Sequence, residues 1–233
     1  MILSAHQSHY LPWLGYLDKI DRSDVFVILD DVQYEKNGWQ NRNRIRTPQD
    51  WLWLTVPVHA HLSDRLMDVH ISEGMSWQKD HSKSLELNYH KAPHFQTLWE
   101  FLSPTYQRNW SMLVDLNLAS LEAMLGAVGM EKKEIILSSK IGITSQATQR
   151  LVDLCKYFKA DTYLSGDGAH AYLDMTLFVK AGIHVKFQNF SHPVYKQLHG
   201  DEGNFVEGLS AVDLIFNCGK ESLDILRRTR RKR

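Results

Sequence analysis

Cysteine is nearly absent from this 233-residue chain, which holds only Cys155 and Cys218. Two thiols build no disulfide framework and match no Cys-based zinc spacing, so both are expected to pack on a helix face and a helix end. Long apolar runs are missing too: none approaches the roughly 18 residues that read as a bilayer span. The opening Met1-Ile-Leu-Ser has no basic n-region of a secretory signal, and the expected location is the cytoplasm. Net charge is also lacking, with 27 basic residues against 27 acidic ones, but the balance is uneven. Arg227, Arg228, Arg230, Arg231, Lys232 and Arg233 supply six of the basic residues, which leaves an acidic body and a basic tail. The tail reads as frayed and solvated, with contact to nucleic acid or an anionic membrane surface as the alternative.

Familiar catalytic signatures are lacking as well. No GxSxG elbow supports a serine hydrolase, and neither a Walker loop nor a GxGxxG fingerprint is present. The twelve histidines fit no standard zinc pattern. A metal-dependent hydrolase using His6 with His9, or His59 with His61, is therefore the weakest functional reading, and no metal ligands are assigned. There is no internal repeat, low-complexity tract or linker.

The composition that remains, 43% hydrophobic and 23% charged, is globular and long enough for a substantial core. Residues 24–30 form a nearly continuous apolar run between carboxylates, as a strand buried on both faces of a parallel sheet does. Residues 1–5, 51–58, 67–71, 134–138, 162–165 and 183–187 read as further strands. Residues 146–159, 168–181 and 207–216 read as helices, the last stopping near Gly219, and a final helix carries the tail. Alternating strands and helices predict an α/β fold with a mainly parallel sheet. Apolar helical periodicity over 76–128 predicts a helical insert, with His81, His90 and His94 on its exposed side. Residues 1–233 are read as one domain.

Four polar clusters follow predicted strands. The first is the turn holding Gln7, Tyr10, Pro12 and Gly15, a candidate cradle for phosphate or carboxylate at a helix start. The second is a dense loop after residue 30 with Asp31, Tyr34, Lys36, Asn41, Arg42 and Asn43. There Arg42 can fork onto an anion, Lys36 can supply a point charge, and the aspartates can hold magnesium or a ligand hydroxyl or amine. The bland alternative pairs Asp31 with Arg42 as a brace. The third cluster places Ser165, Gly166 and Gly168 at a glycine-rich turn suited to a small ligand. The fourth offers His192, Tyr195 and Gln197. Their common position after strands predicts one shared crevice.

Taken together, HQSHYLPWLGYLDKI at 6–20, DVFVILDDVQYEKNGWQNRNRI at 24–45, LTVPV at 54–58, NYHKAPHF at 88–95, ADTYLSGDGAHAYLD at 160–174 and FVEGLSAVDLIFNCG at 205–219 resemble the WbqC-like protein family over almost the whole chain. Gln7, Tyr10, Pro12, Gly15, Tyr16, Asp31, Tyr34, Asn41, Arg42 and Asn43 match the family pattern. The family commonly has Gln-Pro at Gln7-Ser8 and varies before the glutamine, which places His6 and His9 outside the implied catalytic set. The YLPWLGY turn also resembles a degenerate PxHxGH turn of HUP-type nucleotidyltransferases, with Leu14 and Tyr16 in place of its histidines; this is analogy at fold level.

The resemblance implies a role in surface-glycan or specialised-metabolite chemistry and an acyl or aminoacyl transferase or ligase, glycyl transfer included. Its acceptor is a small-molecule or sugar amine or hydroxyl. Asp31 is expected to orient the nucleophile or act as base, and Arg42 to bind the donor. Tyr34, Tyr10 and Gln7 position the acceptor, and Asn41 and Asn43 face developing oxyanion charge. Either ATP with magnesium activates the donor, helped by Lys36 and Arg42, or a transfer RNA or carrier protein brings it preactivated. DNA is not an expected partner. The alternative is a non-catalytic protein that binds a nucleotide or intermediate.

Overall fold

The computed structural model describes all residues except 62, 75, 201, 202 and 233, and the side chains of Arg231 and Lys232 also lie outside the described set. Five strands form the central sheet: β1 (Ile2–Gln7), β2 (Val25–Leu29), β7 (Glu134–Leu137), β8 (Thr162–Ser165) and β9 (His184–Phe187). Their order is β7-β2-β1-β8-β9, and every pairing is parallel. Parallel strands must be covered on both faces, and alternate residues of β1 and β2 supply two cores. Leu3, Ala5, Val25 and Val27 face Val152 and Leu154 of α5 (Ala147–Tyr157) and Phe178 of α6 (Met175–Lys180). Phe26 and Ile28 face the other way, toward Leu17 and Ile20 of α1 (Leu14–Arg22). The result is an α/β Rossmann-like fold.

The expected helical stretch contains α2 (Trp77–Tyr89), α3 (Phe95–Gln107) and α4 (Leu113–Ala127). Leu85, Leu98, Leu102 and Leu116 join the same core cluster as α1. His90 and His94 are exposed as expected, but His81 is buried, because its ring packs against Trp77 and bonds Tyr10.

Four expectations change. The loop after residue 30 ends in a strand, β3 (Arg42–Arg46), paired antiparallel with β4 (Trp51–Thr55). Its alternating arginines look like loop residues, yet Asn43 and Ile45 are buried beneath them. The strand expected over 51–58 stops at Thr55 and resumes as β5 (Val58–His59), since Pro57 cannot donate to a ladder. In place of a strand over 67–71, a 3-10 turn at Leu66–Asp68 leads into β6 (His70–Ile71), because Asp68 is drawn back onto Arg65. The helix expected over 168–181 is a 3-10 turn, Asp167–Ala171, followed by α6, whose start is capped by the Asp174 carboxylate accepting from Thr176 N–H at 2.9 Å.

The chain closes with α7 (Val212–Cys218) and α8 (Ser222–Arg228). Gly219 ends α7 at φ 55, and a Cβ there would lie 2.6 Å from the His94 ring, so both backbone and space require glycine. The described part of the tail is not frayed. Arg227 forks onto Asp21, and Arg230 reaches both Asp18 and Asp21. Both carboxylates belong to α1 and are nearly buried. Cys155 and Cys218 serve packing, and burial raises their thiols to about 12 and 11.

Candidate functional site

From β1 the chain steps to β2 and β7 on one side of the sheet, then crosses to β8 and β9 on the other. The switch point is therefore the gap beyond the carboxyl ends of β1 and β8, where open α/β sheets bind ligands. Into that gap project the residues that follow β1, the start of α1, and the Ser165-Gly166-Asp167 turn.

Four side chains cluster there. The His6 and His9 rings meet edge to face at 4.7 Å, and Tyr16 lies 5.0 Å from His6 and 5.3 Å from His9. Tyr16 and Lys19 are three residues apart on one face of α1. The Tyr16 hydroxyl donates to the Gln7 carbonyl at 3.1 Å, and Lys19 Nζ donates to the Ala5 carbonyl at 2.9 Å. Removal from water is the leading influence on each ionisable group. Burial, with the Lys19 charge adding to it, pushes His9 down to about 3. His6 falls for the same reasons, with a further contribution from His9. Burial lowers Lys19 to about 7, although Asp167 opposes the shift. At neutral pH the site therefore holds two uncharged imidazoles and an ammonium poised to lose its proton. His9 Nδ1 is buried with no hydrogen-bond partner, while His6 and Gln7 remain half-buried and form the mouth.

The polar loop reaches this mouth through a residue that sequence reasoning passed over. Gln40 Nε2 donates to Gln7 Oε1 at 3.0 Å, and its own oxygen accepts Glu35 N–H at 2.8 Å. Asp167 fixes the far wall by accepting N–H bonds from Asn189 and Phe190 at 2.6 and 2.9 Å.

The residues expected to be catalytic have other partners. Asp31 is paired with Arg150 and Ser138, not with Arg42. Burial alone would raise its carboxyl, but those partners outweigh it and hold Asp31 below the usual range, which makes a poor base. Arg42 stacks 4.3 Å over Trp53 and donates to the Asn37 carbonyl. Lys36 is exposed, and Tyr34 is buried with its N–H on the Asp64 carbonyl at 2.8 Å.

Several expected binding residues prove to be braces. The Tyr10 hydroxyl sits between His81 at 2.9 Å and Tyr106 at 2.8 Å inside the helical layer. Asn41 and Asn43 donate to the Val56 and Leu11 carbonyls at 2.9 and 2.7 Å, tying the hairpin to the turn rather than facing an oxyanion. Ser165 is buried with its hydroxyl on the Gly166 carbonyl at 3.2 Å. A Cβ on Gly15 would lie 2.2 Å from the Trp13 ring, so an indole already covers the helix start where a phosphate cradle was expected. The fourth cluster points elsewhere. Tyr195 and Gln197 bond the buried Asp213 at 2.7 and 2.9 Å, and His192 packs near Tyr195 and Phe205. Of the four clusters, the turn and the loop thus meet at Gln7 through Gln40, the Ser165 turn bears on the site through the charge of Asp167 on Lys19, and the fourth does not reach it.

The expected ligand cavity is also displaced. A cleft of about 670 Å³ lies away from the switch point, lined by His59, His70, Glu73, Trp77, Asn109 and Trp110. The buried ionisable groups mark the sheet end instead, where perturbed side chains gather as they do in active sites. Among the described residues no three His, Cys, Asp or Glu side chains group as a metal site would require, and no helix is long and apolar enough to cross a membrane.

The neutral histidines set an acid limit on stability. Both bind a proton in the unfolded chain near 6.5 but resist it when folded, so stability is lost as pH falls below 6.5, for His9 down to about 3. Denaturant titrations over that range should show a decline of up to about 1.4 kcal/mol per pH unit for each such histidine. His9→Gln should flatten the slope, and an unchanged slope would show that His9 is not held neutral.

Residues 7–225 match the sequence profile of the WbqC-like protein family. A protein of Mycobacterium tuberculosis (strain ATCC 25618 / H37Rv), named Uncharacterized protein Rv1507c, is 37% identical over 229 residues, covering 95% of each chain. No solved structure matches.

Proposed function

Since the chain belongs to the WbqC-like protein family, we propose that it transfers an acyl or aminoacyl group, glycyl included, onto an amine or hydroxyl of a sugar or other small metabolite. The observation that carries this reading is the uncharged His6–His9 pair beside Lys19 at the sheet's switch point. Acyl transfer needs a base that is free at neutral pH and a donor for the developing oxyanion or the departing group. Lys19, which burial brings to about 7, takes the proton from the attacking N–H or O–H in its uncharged form. The nucleophile's lone pair forms the new bond to the acyl carbon, and the bond to the leaving oxygen or sulfur breaks. The Lys19 ammonium so formed then gives that proton to the leaving atom. Gln7, oriented by Gln40, holds the acceptor.

The filled turn at Gly15 favours a preactivated donor over ATP with magnesium, because Trp13 occupies the approach to the α1 N–H groups. Leu14 and Tyr16, where the HUP-type turn has histidines, point the same way. Those two features also favour the second reading, a non-catalytic protein that binds an intermediate. The deciding experiment supplies radiolabelled glycine as a free acid with ATP, as a thioester, and as an ester on RNA, each with a panel of amino sugars. Label should pass from a preactivated donor to an amino sugar. Absence of pyrophosphate exchange and of transfer from every donor would remove the transferase in favour of the binding protein.

A further inference from the structure

The outer face of the β3–β4 hairpin is an anomaly. The inner face is ordinary, with Asn43, Ile45 and Leu54 buried. The outer face should be polar, yet it displays indoles interleaved with guanidiniums. Trp39 and Trp51 are 39% and 36% exposed. Trp53 lies 5.4 Å from Trp39 and 5.7 Å from Trp51. Arg42 sits 4.3 Å over Trp53, and Arg44 lies 5.0 Å from Trp51 and 5.7 Å from Trp39. Among the described residues no carboxylate pairs with either arginine. Two positive charges without a carboxylate partner are thus held against three aromatic rings on a partly exposed surface, each guanidinium also donating to a backbone carbonyl, that of Asn37 for Arg42 and that of Gly208 for Arg44.

We propose that this face binds single-stranded RNA. Unpaired bases stack on aromatic rings and on guanidinium planes, and their phosphates take the guanidinium N–H groups; a cationic aromatic platform satisfies both halves of a nucleotide at once. A strand is favoured over a mononucleotide because the surface is open, and affinity must then come from two or three rings used together. Register supports the same occupant. Trp39 adjoins Gln40, whose side chain bonds Gln7, and the Trp39 carbonyl accepts Tyr10 N–H at 3.3 Å. A strand lying on the platform therefore ends beside the mouth formed by Gln7 and His6. That the strand delivers an acyl ester there rests on the transfer reading, whereas the binding itself does not.

The test uses the full chain and an unacylated, fluorescently labelled ten-nucleotide single-stranded RNA, followed by anisotropy at two salt concentrations. Saturable, salt-sensitive binding is expected. Trp51→Ala and Arg44→Met should each weaken it about tenfold, and Arg44→Met should also lower the slope of log affinity against log salt by about 0.7. Lys36→Ala, at an exposed position, guards against misfolding of the other variants and should lower the slope similarly. No saturable binding would overturn the proposal. So would affinity unchanged in folded Trp51→Ala and Lys36→Ala, or adenosine monophosphate binding as tightly as the ten-mer. RNA binding without acyl transfer from any donor would sink the transfer reading alone. Transfer from a thioester with no RNA bound would sink this one alone.

Discussion

Lys19→Met should give a protein that resists unfolding better at pH 6 yet transfers acyl groups at least about a hundredfold more slowly. The stability half follows from burial. Lys19 is 4% exposed, its Nζ is satisfied by the Ala5 carbonyl, and it titrates near 7. Above about 10.5 both folded and unfolded chains carry it neutral, so no penalty exists. As pH falls toward 7 the unfolded chain takes up a proton that the folded chain refuses, and stability declines. Below 7 both are protonated, and the full penalty, on the order of 5 kcal/mol at most, persists. Methionine carries no such penalty but leaves the Ala5 carbonyl unpaired, at about 1–3 kcal/mol. The net gain should be a few kcal/mol at pH 6 and should vanish, or reverse, near pH 10.5. Denaturant midpoints at pH 6, 8 and 10 measure one half, and transfer rates the other. A variant with normal turnover would remove Lys19 from the chemistry; one destabilised at pH 6 would show that its burial is not unfavourable.

Asp213→Ala should be among the most damaging substitutions, by about 3–5 kcal/mol. Asp213 is wholly buried and accepts hydrogen bonds from Tyr89 at 2.9 Å, Tyr195 at 2.7 Å and Gln197 at 2.9 Å. Arg46, equally buried, donates to the Asp50 and His199 carbonyls and feels the Asp213 charge. Deleting the carboxylate strands three donors and leaves a buried cation without its counter-charge. Asp213→Asn keeps volume and part of the bonding, so it should lose less. Burial raises the Asp213 carboxyl despite these donors, so the folded chain holds that proton at a pH where the unfolded chain has released it. This contribution to stability fades as pH rises above 3.8. Thermal unfolding of both variants beside the parent checks the ranking; equal loss would mean that volume, not charge, matters there.

Strand and helix alternation was legible wherever apolar runs were long, which is why β2, β8 and α5 appear where hydrophobic periodicity put them. β3 was not legible, because its Arg42 and Arg44 are accommodated by stacking on Trp53, Trp51 and Trp39, a tertiary effect with no local signal. The site was half legible for the same reason. That the turns after β1 and β8 would face one another follows from the strand-end rule, and Gln7 and Tyr16 do lie there. His6 and His9 were discounted on family pattern, and Lys19 resembles any surface lysine of an amphipathic helix until α1 is known to be buried nearly all round. Asp31 and Arg42 have the composition of an active site, but Asp31 spends its charge on Arg150 and Arg42 lies stacked on Trp53.

Arg227 grips Asp21 across 206 positions of chain. During synthesis at about 5–20 residues per second, roughly 10–40 s separate the emergence of α1 from that of its arginine partners. Through that interval Asp21 lacks its arginine partners, and Asp18 has only Arg22, four residues on in the same helix. The contacts that hold α1 to the arginines of residues 227–230 can therefore form only after those residues are made, so the pocket beside that helix is completed late in synthesis.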